Sequence, residues 1–495
     1  MAEVIRHNCG LSVAHTLHDA YRFIQSLQHR GREAAGIAAV GDGRIDVIKW
    51  KGGVSRFDVT DLHKIFRSPN YHTYMAHVRY ATRGSKDMLL EEAHPHVIGG
   101  TIENRDNHIM IWDCDMAAVH NGQVDAVFLK DSAPEHMYSS CDTEALLYLY
   151  RDHGEYNFLK EVPGAYTMAI ADKRKGDVMV MRDRTGIKPG VLGWKDGKYG
   201  VASEDIAFRK NGGEYVEDLE PGTIYYLTPE GDFSKEVVVE TNLAHCFFEW
   251  NYITDLDSIV NGVSVRRIRE SLGEVLSEEF QPGDADFVTY LPRCPEVAAR
   301  PYAKKAELPF EPVFYKMRGE RSFQGSNADE RKQSIGQNLH LLPGMAQKIK
   351  GKTVILLDDS IVRGNNSKRA RDLLYEEAGV EKAYLVSYTP PIGIIGDDGV
   401  PRGCTFGVDM PPDPPPGDEF IARNRTVAEV GQAMEMPVVY LSMEGMLKAF
   451  ERAGLPERDL CTFCIGGRMP YEGAESLIQI GEKPQMDLLA GLKAG

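Results

Sequence analysis

The run VILLDDSIVRGNNS, residues 354–367, constrains the fold more than any other stretch of this chain. Four consecutive apolar residues followed by two carboxylates read as a strand buried on both faces, and such strands belong to parallel sheets covered by helices. The turn through Gly364 then feeds a helix expected to begin near Ser367. Further apolar runs, DFVTYLP, AYLVSY and VVYLSM, alternate with helical patterns such as SKRARDLLYEEAG and MEGMLKAFERAG. That alternation predicts an α/β domain. PPDPPPGDEF, residues 411–420, is too rich in proline to be other than a loop.

Ligands bind open α/β sheets at the carboxyl ends of their strands. Asp358 and Asp359 stand at such an end, where paired acids suit ribose hydroxyls or Mg²⁺. The N–H groups of a glycine turn and a helix start suit a phosphate. Capping of the helix is the plainer use of the same acids.

The first half has another texture. LHDAYRFIQSLQHRG (17–31) sets Leu17, Tyr21, Ile24 and Leu27 on one helical face and is expected to end at Gly31. CDTEALLYLYRDHG (141–154) reads as a helix capped by Asp142 or Thr143. YHTYMAHVRYAT, YTMAIAD, DVMVMRD and GTIYYLTP read as strands. The half closes near residue 240, and no internal repeat is present. A chain of 495 residues is long enough for two or three domains with full cores.

Asp and Glu number 73 against 57 Lys and Arg, a net charge of −16. That balance argues against a broad nucleic-acid or anionic-membrane surface and leaves room for local phosphate pockets. No apolar run approaches the ~20 residues that span a bilayer, and the N-terminus lacks an apolar signal region. A cytoplasmic protein is expected.

Cys9, in RHNCGLSVAH, sits where a nucleophile that uses its own α-amine as base would sit, with Met1 to Asn8 there to be removed. CGLSVAH, LQHRGREAAGIAA, HVRYAT, AAVHNGQ and SSCDTEALL resemble, in that order, the glutaminase domain of N-terminal-nucleophile amidotransferases. Residues 354–367 resemble the phosphoribosylpyrophosphate (PRPP) motif of type I phosphoribosyltransferases, with Asn365 and Asn366 where that motif has Thr or Ser. With MRDRTGIKPGVLG, VASED and DLEPGTIYYL added, nearly the whole chain resembles the amidophosphoribosyltransferase family.

The resemblance implies an α+β N-terminal-nucleophile (Ntn) hydrolase domain of four αββα layers over 9–240, behind a propeptide, 1–8. An α/β type I phosphoribosyltransferase domain over 241–475 and a tail, 476–495, would follow. It also implies a reaction of purine biosynthesis. Glutamine is hydrolysed and ammonia passes to C1 of PRPP, giving 5-phosphoribosylamine, pyrophosphate and glutamate. Cys9 would be the nucleophile, Asn121 and Gly122 the oxyanion hole, Arg79 the partner of the glutamine α-carboxylate and Asp142 that of its α-ammonium. Asp358, Asp359, Ser360, Arg363, Gly364, Asn365, Asn366 and Ser367 would hold PRPP, with Mg²⁺ at Asp358 and Asp359. A homo-oligomer, dimer or tetramer, is implied as well.

Eight cysteines in an intracellular chain point to metal binding or catalysis at those that cluster. Cys246, Cys404, Cys461 and Cys464 match the ligands of the family's iron–sulfur branch, implying a structural [4Fe–4S] cluster. Four thiolates suit structural zinc equally, and ligand type does not separate the two. Cys114, Cys141 and Cys294 read as ordinary residues.

The acceptor half departs from the family pattern. In LPRCPEVAAR (291–300), Arg293, Cys294 and Pro295 stand where the family has a pyrophosphate loop close to Pro-Asp-Ser-Gly. A thiol is a poor Mg²⁺ ligand and proline lacks an N–H. MRGERSFQG (317–325) stands for the lid's Val-Gly-Arg-Thr-Phe, with an extra residue before Arg321, and FFEWNYITDLDS (247–258) lacks the Arg-Pro before Asp-Ser. The expectation is an intact glutamine site and weakly held pyrophosphate. Two other readings follow: amination of a different sugar phosphate, or a regulatory module that binds PRPP or nucleotide without turnover.

Overall fold

The structure, a computed structural model, describes residues 9–67, 70–80, 89–124, 137–139, 141–316 and 339–471. The 1–8 segment, the 317–325 run and the 476–495 tail lie outside these residues.

In the first half, strands alternate their side chains between two apolar layers. Along Tyr71–Arg79, Met75 faces one layer while Ala76 and Val78 face the other. Along Met116–Gln123, Ala117 and Val119 face that same inner layer, and Met116 and Ala118 face away. Period-two burial on both faces requires a cover on each side. The result is a nine-stranded antiparallel sheet stacked on a six-stranded one. Helix Leu17–Ser26 covers the first and helix Asp142–Glu161 the second. These are the four αββα layers.

Three local expectations are corrected. The first helix ends at Ser26 and not at Gly31, because Gln28 and Arg30 turn inward to partners elsewhere. Gly31 instead crosses the backbone of Arg79 so closely that a Cβ would lie 2.4 Å from its carbonyl carbon. Neither Asp142 nor Thr143 caps the second helix: Cys141 holds the N-cap position without a side-chain bond to the helix N–H groups. Asp142 accepts from the N–H of Val124, and the Thr143 hydroxyl bonds His94 and His120. Gly154 breaks that helix with φ +74°, and the chain resumes helix to Glu161. The helix expected near Ser367 starts at Asn365, after Gly364 in the left-handed region at φ +78°.

The second half is built on a four-stranded parallel sheet, ordered Phe287–Tyr290, Thr353–Asp358, Lys382–Ser387, Val438–Tyr440. Ile355 and Leu357 face helices Val265–Glu279 and Glu296–Lys305, while Val354 and Leu356 face the opposite layer. Residues 411–420 carry no helix or strand, as expected. Late residues return to the junction of the halves and to the first half itself. Cys461 pairs in parallel register with Cys246, and the Tyr471 hydroxyl bonds the Gly164 carbonyl, Asp183 and Thr185. Among the described residues no helix is long and apolar enough to cross a membrane.

Candidate active site and four-thiol pocket

Antiparallel pairing of Gly10–Ala14 with Tyr71–Arg79 sets Gly10 opposite Val78, so Cys9 continues the register towards Arg79. The Cys9 thiol is fully buried, and burial pushes its pKa up to about 11. The N–H of Tyr80 and the cations Arg79, Lys188 and Arg30 oppose that rise without reversing it. At neutral pH the sulfur is a thiol, and nucleophilic use requires a base.

The second sheet approaches through His77, whose Nε2 lies 3.0 Å from the carbonyl of His120. Asn121 and Gly122 follow on that strand, which also touches Gly10–Ala14. Asn121 is fully buried, and neither Oδ1 nor Nδ2 has a hydrogen-bond partner among the described residues. A buried primary amide left unmade costs about 1–3 kcal/mol, so its retention points to a ligand. Only glycine fits at 122: a Cβ there would lie 1.9 Å from the Ala165 carbonyl.

Arg79 donates from Nη1 to the Leu89 carbonyl at 3.2 Å and faces Glu92 at 3.6 Å, while its Nε lacks a partner among the described residues. Asp142, buried across the site, lies 3.9 Å from His120 Nδ1. Lys188, which the motif reading passed over, is wholly buried with no partner for Nζ among the described residues.

The two halves meet over a buried charge network that single motifs could not show. Arg30 donates from Nε to the Cys9 carbonyl at 2.9 Å, from Nη1 to Glu204 at 2.7 Å and from both Nη atoms to Glu249 at 3.1 Å. Glu249 begins the turn Glu249–Ile253, where Asn251 Nδ2 donates to the Thr389 hydroxyl at 2.9 Å. That hydroxyl donates to the Asp359 carbonyl at 2.6 Å. A cavity of about 40 Å³ lies along the same seam, lined by Tyr80, Phe248, Tyr252, Ser360, Val408 and Met410 among others.

At the acceptor end, burial holds both Asp358 and Asp359 above the usual carboxylate range, reinforced at Asp358 by the charge of Asp359 and opposed at Asp359 by Arg269. Ser367 Oγ donates to Asp358 at 3.0 Å, and Ser360 Oγ to Asp359 at 3.3 Å. Asn365 and Asn366 form the first turn of the helix after Gly364. Arg363 is paired with Asp418 at 2.6 Å and faces Asp409 at 3.8 Å. Lys316, unremarked in the sequence, is close enough to both acids, Arg293 and Cys294 to feel their charge. Pro295 precedes the first turn of Glu296–Lys305, and Cys294 points its thiol at the Tyr252 carbonyl, 3.8 Å away.

Cys246, Cys404, Cys461 and Cys464 line one small pocket of about 10 Å³ whose other walls include Ile187, Phe248, Phe406, Val408, Met410 and Phe463. Burial pushes the Cys461 thiol up to about 12 and those of Cys246 and Cys464 well above the ordinary value. The N–H groups of Phe406 and Val408 each donate to the Cys404 sulfur at 3.4 Å. Such donors and dry walls fit a thiolate-ligated metal centre, because a metal replaces the thiol protons.

A family model described as a glutamine amidotransferase domain matches residues 115–229. The amidophosphoribosyltransferase of Bacillus subtilis (strain 168) is 30% identical over 470 residues, covering 91% of each chain. That of Archaeoglobus fulgidus is 31% identical over 467 residues, covering 91% of this chain and 94% of the relative. Among solved structures, the glutamine PRPP amidotransferase from B. subtilis complexed with ADP and GMP superposes with a TM-score of 0.74 at 27% identity. It covers 94% of this chain and 98% of that one. With this likeness running through both halves, the chain belongs to the amidophosphoribosyltransferase family.

Proposed function

We propose that this chain is a glutamine-dependent amidotransferase of purine biosynthesis, releasing ammonia from glutamine at Cys9 and delivering it to C1 of PRPP at Asp358–Ser367. The observation that carries this is the run of linked groups from the Cys9 carbonyl through Arg30, Glu249, Asn251 and Thr389 to Asp359. The cavity along that seam gives ammonia a sheltered route. The α-amine of Cys9, freed by removal of residues 1–8, takes the thiol proton. The Asn121 amide and the Gly122 N–H receive the oxyanion, while Arg79 and Asp142 hold the two ends of glutamine. Asp358 and Asp359 hold the ribose and, as a buried oxygen pair, suit Mg²⁺. The amides of Gly364, Asn365 and Asn366 receive the 5-phosphate. Lys316 and Arg293 supply positive charge where the pyrophosphate loop has lost its glycine and hydroxyl. The same reading expects a cytoplasmic homo-oligomer, dimer or tetramer.

Pyrophosphate release from PRPP, driven by glutamine and separately by ammonia, tests the assignment; absence of both signals overturns it. Arg79→Lys keeps the charge and loses the fork, so its KM for glutamine should rise about 10–100-fold with kcat nearly kept. Asn121→Ala should do the reverse, lowering kcat by roughly 10²–10³. If both variants change KM alone, the two roles are misassigned.

The four-thiol pocket is read as a [4Fe–4S] site that pins Cys246, Cys404 and the 461–464 turn together. The reading rests on four cysteines gathered on one apolar-walled pocket. Protein purified without oxygen should contain iron and sulfide in equal amounts, about four of each per chain. One zinc per chain and no iron would replace that reading.

A further inference from the structure

We propose that His94, His96 and Cys141 form a second metal site, separate from the four-cysteine pocket, that takes a zinc-like divalent cation. Their three ligand atoms lie within 4.8 Å of one another, the only such group among the described residues. All three side chains are buried, at 1%, 2% and 2% exposure.

The elements that meet there explain the arrangement. His96 opens the edge strand His96–Ile98, His94 lies two residues before it, and Cys141 stands at the N-cap of Asp142–Glu161. The cation would therefore tie a sheet edge to the start of the helix that covers it. Polar neighbours orient both rings. The Thr143 hydroxyl bonds His94 Nε2 at 2.8 Å, and the Ser139 hydroxyl lies 3.4 Å from His96 Nδ1. Each hydroxyl holds its ring through one nitrogen. His77 stacks on His94 with centroids 4.1 Å apart, which fixes the plane of that ring. Ligating histidines are characteristically held this way through their second nitrogen.

Two imidazoles and one thiolate suit zinc, with a fourth position for water. Tetrahedral zinc would bring the three ligand atoms to about 3.3–3.6 Å from one another, a contraction of no more than about 1.5 Å. The residue after Cys141 is Asp142, so occupancy fixes one wall of the glutamine cleft; the role is positioning, and no reacting atom touches the metal.

The test uses the full chain, chelator-stripped and titrated with Co²⁺. In a Cys461→Ser/Cys464→Ser background, which disables the other thiol pocket, about one Co²⁺ should bind with tetrahedral visible bands and thiolate-to-metal charge transfer. Adding Cys141→Ser should remove the charge transfer and weaken binding by more than about 100-fold. In the otherwise unaltered chain, His96→Gln should lower zinc content by one equivalent while leaving iron and sulfide unchanged. A charge-transfer band that survives Cys141→Ser, its absence from the background variant, or equal zinc in His96→Gln and the unaltered chain would each overturn the proposal. None of these outcomes bears on whether Cys9 hydrolyses glutamine.

Discussion

Cys9→Ala should lose glutamine-driven pyrophosphate release from PRPP by at least about 10⁴-fold, as removal of an enzyme's nucleophile does. Release driven by added ammonia should persist, since ammonia bypasses the thiol. The size of the loss follows from the site. A thiol raised to about 11 cannot ionise by itself at neutral pH. A free α-amine has a pKa near about 8 and can take the proton. Intact-mass measurement of active protein should accordingly show a chain that begins at Cys9. Glutamine-driven activity in Cys9→Ala, or full activity with Met1 to Asn8 attached, would move the nucleophile elsewhere.

Arg30→Met should destabilise the protein by about 3–5 kcal/mol, the cost of removing one partner from a buried charge network. Arg30 is fully buried against Glu204 and Glu249, so the variant takes the shared guanidinium from two buried acids. Arg30→Lys should recover only part of the loss, because an ammonium cannot serve both carboxylates and the Cys9 carbonyl as a fork does. The network also sets an acid limb. Burial alone would raise Glu204, but His29 and Arg30 pull it well below its ordinary value. A depressed carboxylate stabilises the fold fully above its unfolded value of about 4.3 and loses that contribution as pH falls through the folded value. Urea midpoints measured from pH 7 downward should fall steeply in acid for the natural chain and more shallowly for Arg30→Met. A change under about 1 kcal/mol in Arg30→Met would show that the network does not hold the seam.

What the sequence revealed was local. Asp358 and Asp359 announce themselves because the strand, the acids and the turn are contiguous, and the HNG run carries Asn121 and Gly122 together. Relations across the chain stayed hidden. Arg30 and Glu249 are 219 residues apart, and neither stands out in its own segment. Asn251 and Thr389 are 138 apart, and their bond matters only because Thr389 also reaches Asp359. Asp142 and Thr143 were legible as polar residues at a helix start, but tertiary partners claimed both side chains before the helix could use them as caps. Cys141 read as ordinary because the two histidines beside it come from the far edge of the sheet.

Tyr471 gives the molecule a timetable. Its hydroxyl closes on Asp183, and the same loop carries Ile187 to the four-thiol pocket and Lys188 towards Cys9. Those partners are 288 residues apart, which at ribosomal rates of roughly 5–20 residues per second separates their synthesis by about 15–60 s. Every strand of the acceptor sheet has therefore been made before the Tyr471 hydroxyl can close on Asp183. The glutaminase half begins at the N-terminal side of the chain, but it is among the last parts of the molecule to be finished.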